Sequence, residues 1–165
     1  MSFTFTFMNE TDARMVQTWK YEEPYTIYNY ASSEEGLAEL LEPRSPHYAV
    51  RNEQGELAGF FCYGTCAQVW ENTTPALYSE DQTVDIGLGM RPDLTGKGLG
   101  LGFVEAGLTF ACEQFAPRHF RLFVLSFNKR AMRVYEQAGF TFVRQFVQLN
   151  PVHGELEFVE MRREI

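Results

Sequence analysis

The sequence predicts a mixed α+β fold organised around one mixed sheet. Three observations carry that expectation. Phe3, Phe5 and Phe7 alternate with Ser2, Thr4 and Thr6, and similar apolar runs recur to the end of the chain as strands. Helix-spaced segments with caps and stops separate several of these runs. Two strand runs in the middle are joined by only a short turn, which excludes a purely parallel sheet. At 165 residues, 45% of them apolar and 15% aromatic, the chain has the size of one globular domain, expected to span 1–165.

Taken in order, strand 3–7 is buried on one face. Residues 9–20 follow as a helix that Asn9 or Thr11 caps, with Ala13, Val16 and Trp19 inward. Segment 21–31 holds four tyrosines and Pro24. It reads as an aromatic loop, packing onto the core with wet hydroxyls or lining a site. Ser32 or Ser33 caps a short helix to Leu41, with Glu34 and Glu35 in its first turn and Pro43 beyond it. His47–Arg51 and Leu57–Tyr63 form a hairpin across 52–55. Residues 64–82 have no clear period and contain Trp70, Pro75 and Tyr78, as a long surface connection would.

Thr83–Met90 is a strand leading into a glycine-rich turn. Phe103, Ala106, Phe110 and Phe115 then repeat at helical spacing until Pro117. A strand over 121–127, a helix over 128–138 stopped by Gly139, and strands over 140–149 and 156–162 complete the chain. The predicted order is βααβββαβαββ.

Composition removes several function classes. The formal net charge of −8 argues against non-specific nucleic-acid binding, which depends on Lys and Arg neutralising phosphates. No apolar stretch approaches the roughly 20 residues of a membrane span, and the first residues do not resemble a signal peptide. Three cysteines (Cys62, Cys66, Cys112) without zinc spacing point to cytoplasmic thiols and no metal site. Acids cluster, with Glu22, Glu23, Glu34, Glu35, Glu39 and Glu42 in 21–43, and Glu71, Glu80, Asp81 and Asp85 in 71–90, both free of Lys and Arg. Such stretches are solvated faces or a field that attracts an amine.

The most informative segment is 91–102, where Gly96, Gly98, Gly100 and Gly102 alternate between strand and helix. A turn of this kind aims backbone N–H groups at an anion, and the following helix adds the positive end of its dipole. Two nucleotide templates fail. A Walker loop would need Gly at Arg91 and a hydroxyl at Gly98, and a dinucleotide fingerprint would need Gly at Leu101 or Phe103.

A second segment names the anion. Asn128, Ala131, Tyr135, Gly139 and Phe140 match Asn-x-x-Ala-x-x-x-Tyr-x-x-x-Gly-Phe, and Gly98 and Gly100 match the end of Gln/Arg-x-x-Gly-x-Gly/Ala. Together these resemble the GNAT superfamily of acetyl-coenzyme A-dependent N-acetyltransferases. The chain departs from the pattern at Thr95, where the family has Gln or Arg; Lys97 is a nearby substitute charge.

The resemblance implies a twisted, mostly antiparallel sheet with helices on both faces, and acetyl-coenzyme A as co-substrate. It implies a pyrophosphate cradle at Thr95, Gly96, Lys97, Gly98, Leu99 and Gly100, and coenzyme contacts from Asn128 and Tyr135. Backbone groups of Leu88 and Met90 would meet the pantetheine arm. Tyr135 would protonate the departing thiolate, which suits a phenol with an ordinary pKa near 10. Asp85 is the general base best placed by position, with Glu80 and Asp81 behind it and His47 and His119 as alternatives. Cys112 reads as packing. The acceptor, a small-molecule or peptide amine, would meet Glu22, Glu23, Tyr25, Tyr28 and Trp70; the acidic stretches there suit a cationic one, such as a polyamine, an aminoglycoside-like amine or a peptide amino terminus. The competing reading is a non-catalytic acyl-coenzyme A-binding module, and the apolar last strand leaves a homodimer open.

Overall fold

Asn9, Ser33 and Asn128 each start a helix by the same chemistry, a side-chain oxygen accepting a first-turn N–H (Asp12 at 2.8 Å, Gly36 at 3.1 Å and Ala131 at 3.2 Å). The helices they begin are α1 (Glu10–Thr18), α2 (Glu34–Leu40) and α4 (Lys129–Gln137). Helix α3 (Gly100–Phe115) has no side-chain cap, and ends at Ala116 in a left-handed conformation with Pro117 next. These assignments come from a computed structural model, which describes residues 2–68 and 82–165. Trp70, Glu71, Pro75, Tyr78, Glu80 and Asp81, singled out above, lie outside the described residues.

The strands are β1 (Thr4–Phe7), β2 (His47–Arg51), β3 (Leu57–Tyr63), β4 (Thr83–Met90), β5 (His119–Leu125), β6 (Thr141–Asn150) and β7 (Gly154–Glu164). They form one sheet in the order β1-β2-β3-β4-β5-β7-β6. Every pairing is antiparallel except β4 with β5, so the sheet is mixed, as the central hairpin predicted. Helix α3 starts at Gly100 and not at Phe103, which draws the last two glycines into its first turn. The 21–31 loop contains a short 3-10 turn, Tyr25–Tyr28.

Burial follows strand alternation. On one face Phe61, Tyr63, Ile86, Phe120, Leu122 and Met161 pack with Phe103 and Leu108 of α3. On the other, Phe60 packs with Ala13, Val16, Trp19, Leu37 and Leu40 of α1 and α2. Covered on both sides, β3 is buried from Ala58 to Tyr63, and its period-2 signal disappears. The edge strand β6 instead exposes Phe142, Val143, Val147 and Leu149. Among the described residues no helix is long and apolar enough to cross a membrane.

His47 is buried in β2 against the Phe60 ring, and its Nδ1 has no hydrogen-bond partner. Burial holds its pKa down at about 4. Between about pH 6.5 and 4 the unfolded chain therefore binds the proton that the folded chain refuses, so stability falls as pH falls through this window. The expected loss is about 3 kcal/mol. Urea midpoints at pH 7 and pH 4.5 test it, because His47→Gln should flatten the slope relative to the unsubstituted protein. Equal slopes would show that His47 does not carry the pH dependence.

Candidate active site

The sheet opens at its one parallel junction. Strand β4 pairs with β3 from Met90 back to Ile86, but with β5 only at Thr83↔His119, Val84↔Phe120 and Asp85↔Arg121. Past Asp85 the two strands part and leave a slot. Backbone hydrogen bonds fix what the walls present. Gly64 N–H donates to the Asp85 carbonyl (2.9 Å) and Arg91 N–H to the Ala58 carbonyl (2.8 Å), which turns Asp85, Gly87, Gly89 and Arg91 toward β3. Ile86, Leu88 and Met90 therefore direct their N–H and C=O groups into the slot. On the far wall Ser126 N–H donates to the Glu157 carbonyl (2.9 Å) and Ile165 N–H to the Arg118 carbonyl (3.0 Å). By the same alternation Phe123 and Leu125 face the slot.

A buried ion pair closes the apex. Arg121 donates through Nε to Asp85 Oδ1 and through Nη2 to Oδ2 (3.0 Å), while Gln68 Nε2 donates to Oδ2 at 2.8 Å. Both side chains are almost fully buried, at 3% and 4% exposure. The expected base is thus engaged on both oxygens and acts as a strut where the strands separate. At Gly87 and Gly89 in β4 the close approach is made by the protein itself. A Cβ on Gly89 would meet the Phe60 ring, and one on Gly87 would lie 2.9 Å from Cys62 Sγ.

At the slot's mouth, β4 passes through a 3-10 turn (Pro92–Leu94) into the glycine segment. Thr95 spends both donors on the Pro92 carbonyl, from its N–H at 3.2 Å and its Oγ1 at 2.7 Å. It therefore contributes no donor to an anion, contrary to the expectation for this position, and the cradle begins at Gly96. Gly96 and Gly98 have φ of +71° and +77°, conformations that curl successive N–H groups into a concave nest. Gly100 brings the start of α3 within 3.3 Å of Val134 of α4, measured from the position its Cβ would take. With Leu99 making no side-chain cap, the first-turn N–H groups of α3 have no side-chain acceptor.

Two cations stand near the nest. Lys97 is exposed within it. Arg130, which the sequence reading did not single out, has Nη1 3.7 Å from the Cβ position of Gly96 and its guanidinium 4.3 Å from the Tyr25 ring centroid. Gly98→Ala would force a Cβ into a left-handed backbone and splay the nest. It should weaken acetyl-coenzyme A binding about tenfold, from a strain of roughly 1–2 kcal/mol. Calorimetric titration reads the change, and unaltered affinity would remove the nest from the site.

Asn128 has two roles. Its Oδ1 caps α4, and its Nδ2 donates to the Tyr28 hydroxyl at 3.1 Å. Tyr135 lies two turns further along the same helix, edge-on to Phe140 at 6.1 Å. Burial, reinforced by neighbouring Tyr28, pushes the Tyr135 phenol pKa well above its ordinary value, so it stays protonated at neutral pH.

The aromatic loop lies across the slot. Tyr21 Oη donates to the Met90 carbonyl (2.6 Å), and Tyr25 and Tyr28 pack on Phe127 at 5.9 and 6.3 Å. Glu22 and Glu23 are exposed in the same loop. Of the other acids of 21–43, Glu34 and Glu35 open α2, Glu42 is paired with Arg44 at 2.8 Å, and Glu39 lies within electrostatic reach of Tyr30 and Cys62. On the α1/α2 side a cavity of about 360 Å³ adjoins the apex through Gln68 and is lined by Gln148, Asn150, Leu156 and Phe158. Among the described residues no cluster of His, Cys, Asp and Glu could hold a metal.

The family model for the acetyltransferase (GNAT) family matches residues 9–140. The chain belongs to the GNAT acetyltransferase family. Solved structures of this fold superpose on nearly all of the chain. A spermidine N-acetyltransferase SpeG chimera from Vibrio cholerae and hSSAT is 17% identical, covering 98% of this chain and 95% of its own, with TM-score 0.73. The aminoglycoside acetyltransferase AAC(6')-Ib, in complex with coenzyme A, is 23% identical, covering 99% and 95%, with TM-score 0.68. The protein yncA from Salmonella typhimurium, with acetyl-CoA, is 18% identical, covering 98% and 93%, with TM-score 0.65. No curated protein sequence matches the chain. The GNAT motifs thus lie on the two sides of the slot, with the glycine nest at the end of β4 and Asn128 and Tyr135 beyond β5.

Proposed function

We propose that this GNAT protein transfers the acetyl group of acetyl-coenzyme A to a primary amine of a cationic acceptor, a polyamine, an aminoglycoside-like amine or a peptide amino terminus. The observation that carries the proposal is the open junction of β4 and β5, where Ile86, Leu88 and Met90 turn their backbone groups away from β3, between the glycine nest and the helix that carries Tyr135. The pyrophosphate would sit on the N–H groups of Gly96 to Gly100, with Lys97 and Arg130 beside it. The pantetheine arm would lie between Leu88, Met90 and Asn128. The nitrogen–acyl bond forms as the carbon–sulfur bond breaks; Tyr135 supplies the proton that the sulfur takes up and is reprotonated through water by the proton that the acylated nitrogen sheds. Since Asp85 is committed to Arg121, the ammonium proton leaves through water at the slot mouth. The structures related by fold include spermidine and aminoglycoside acetyltransferases, which supports an amine acceptor.

Glu22 and Glu23 supply the negative field at the acceptor side. Glu22→Gln together with Glu23→Gln should raise KM for a polyamine about threefold to tenfold and leave kcat and acetyl-coenzyme A affinity unchanged, a range set by exposed charges worth a few tenths to 1 kcal/mol each. The effect should shrink in high salt. Unchanged KM would remove the acidic-loop part of the proposal. The reading as a whole is tested by a thermal-shift screen with acetyl-coenzyme A, followed by amine-stimulated thiol release. Binding without turnover on any amine would favour an acyl-coenzyme A-binding module instead.

A further inference from the structure

The loop that covers the slot is a braced unit. Tyr21 N–H donates to Asn29 Oδ1 at 2.8 Å and ties its two ends together, while Gln17 Nε2 donates to the Ala31 and Ser33 carbonyls at 2.9 and 3.0 Å and anchors its exit to α1. Inside that frame, Tyr25 N–H donates to the Glu22 carbonyl (2.7 Å) and Asn29 N–H to the Thr26 carbonyl (3.0 Å). Two tyrosine hydroxyls fasten this unit to opposite walls of the slot. Tyr21 holds the Met90 carbonyl on β4, and Tyr28 accepts from Asn128 Nδ2 on the far side.

The Leu125 backbone lies close enough to the Tyr28 hydroxyl to lower its pKa against the larger, raising effect of burial. Leu125 is one of the residues whose backbone faces the slot, and its carbonyl is already taken by Asn128 N–H at 2.9 Å. The Tyr28 hydroxyl is therefore seated at that wall, on the side-chain amide of Asn128 and beside the Leu125 backbone, where a pantetheine amide would lie.

We propose that Tyr28 is a positioning residue whose hydroxyl competes with the pantetheine arm for its place on Asn128 Nδ2, so that donor binding unlatches the 21–30 segment and re-sets the acceptor side. This rests on the acetyl-coenzyme A reading above. Because the segment is tied end to end, losing the Tyr28 latch moves Glu22 and Glu23 with it. Donor occupancy and acceptor affinity are thereby coupled, and coupling of this kind is reciprocal.

Tyr28→Phe keeps the ring on Phe127 and removes only the hydroxyl. The variant should bind acetyl-coenzyme A about two- to tenfold more tightly, the range that one lost hydrogen bond gives. In the unsubstituted protein, saturating acetyl-coenzyme A should speed hydrogen exchange at the Tyr25 and Asn29 amides. In Tyr28→Phe those amides should exchange fast from the start and respond little. Weaker binding by the variant would make Tyr28 a donor ligand and overturn the latch, as would unchanged binding with unchanged exchange. If the unsubstituted protein does not bind acetyl-coenzyme A, the proposed function falls and takes the latch with it; normal binding with a failed Tyr28→Phe prediction overturns the latch alone.

Discussion

Tyr135→Phe should lower kcat for amine acetylation by about 10²-fold, the lower part of the range for removing a positioned general acid. Acetyl-coenzyme A affinity should stay within about twofold, since the ring and its edge-on contact with Phe140 remain. The phenol is half-buried and desolvation raises its pKa, so it is a fully protonated donor at neutral pH. No described residue hydrogen-bonds its hydroxyl, which leaves the proton for the ligand. A matching fall in kcat and kcat/KM is the signature of an interaction made only in the transition state. A variant of undiminished kcat would mean that the thiolate leaves unassisted. The pH profile gives a second check. With the pKa pushed up, activity should not decline through loss of this proton as pH rises to 10.

The other large effect is on stability. Arg121→Ala leaves Asp85 buried with Gln68 as its one partner among the described residues. Breaking a buried pair on one side costs about 3–5 kcal/mol, or roughly 10 °C in Tm for a chain of this length. Asp85→Ala should also destabilise the fold, because it removes the carboxylate that accepts from Nε and Nη2 of the buried guanidinium. The double variant Asp85→Leu/Arg121→Met should recover much of the loss, because removing both charges restores an apolar contact. Thermal unfolding of the three variants reads the effect. If Asp85→Ala unfolded like the unsubstituted protein but lost acetyl transfer, Asp85 would regain the role of base.

The sequence was legible wherever one local signal decided the outcome. Caps at Asn9, Ser33 and Asn128, the stop at Gly139 and alternation in β1 place their elements within a residue or two. The nest was legible because glycines at alternating positions have few other uses. Contacts between distant segments were not. Asp85 and Arg121 are 36 residues apart, and only the parallel register of β4 and β5 brings them together. As a lone acid at a strand, Asp85 reads as a base; beside Arg121 it is a strut. Arg130 was hidden in the same way, because its place beside Gly96 depends on how α4 meets the nest. Thr95 was read from its motif position, but a 3-10 turn directed its donors back onto Pro92. The latch tyrosines looked like a generic aromatic loop until the Met90 carbonyl and the Asn128 side-chain amide gave their hydroxyls partners.

The central claim is that one acetyl-coenzyme A fills the slot between β4 and β5 with its pyrophosphate on the glycine nest. A backbone amide titration with acetyl-coenzyme A tests it most directly. Saturable one-to-one shifts should concentrate at Leu88, Met90, Gly96, Gly98, Gly100, Leu125 and Asn128. Shifts that leave these amides unmoved, or that gather instead around the β6 edge, would contradict it.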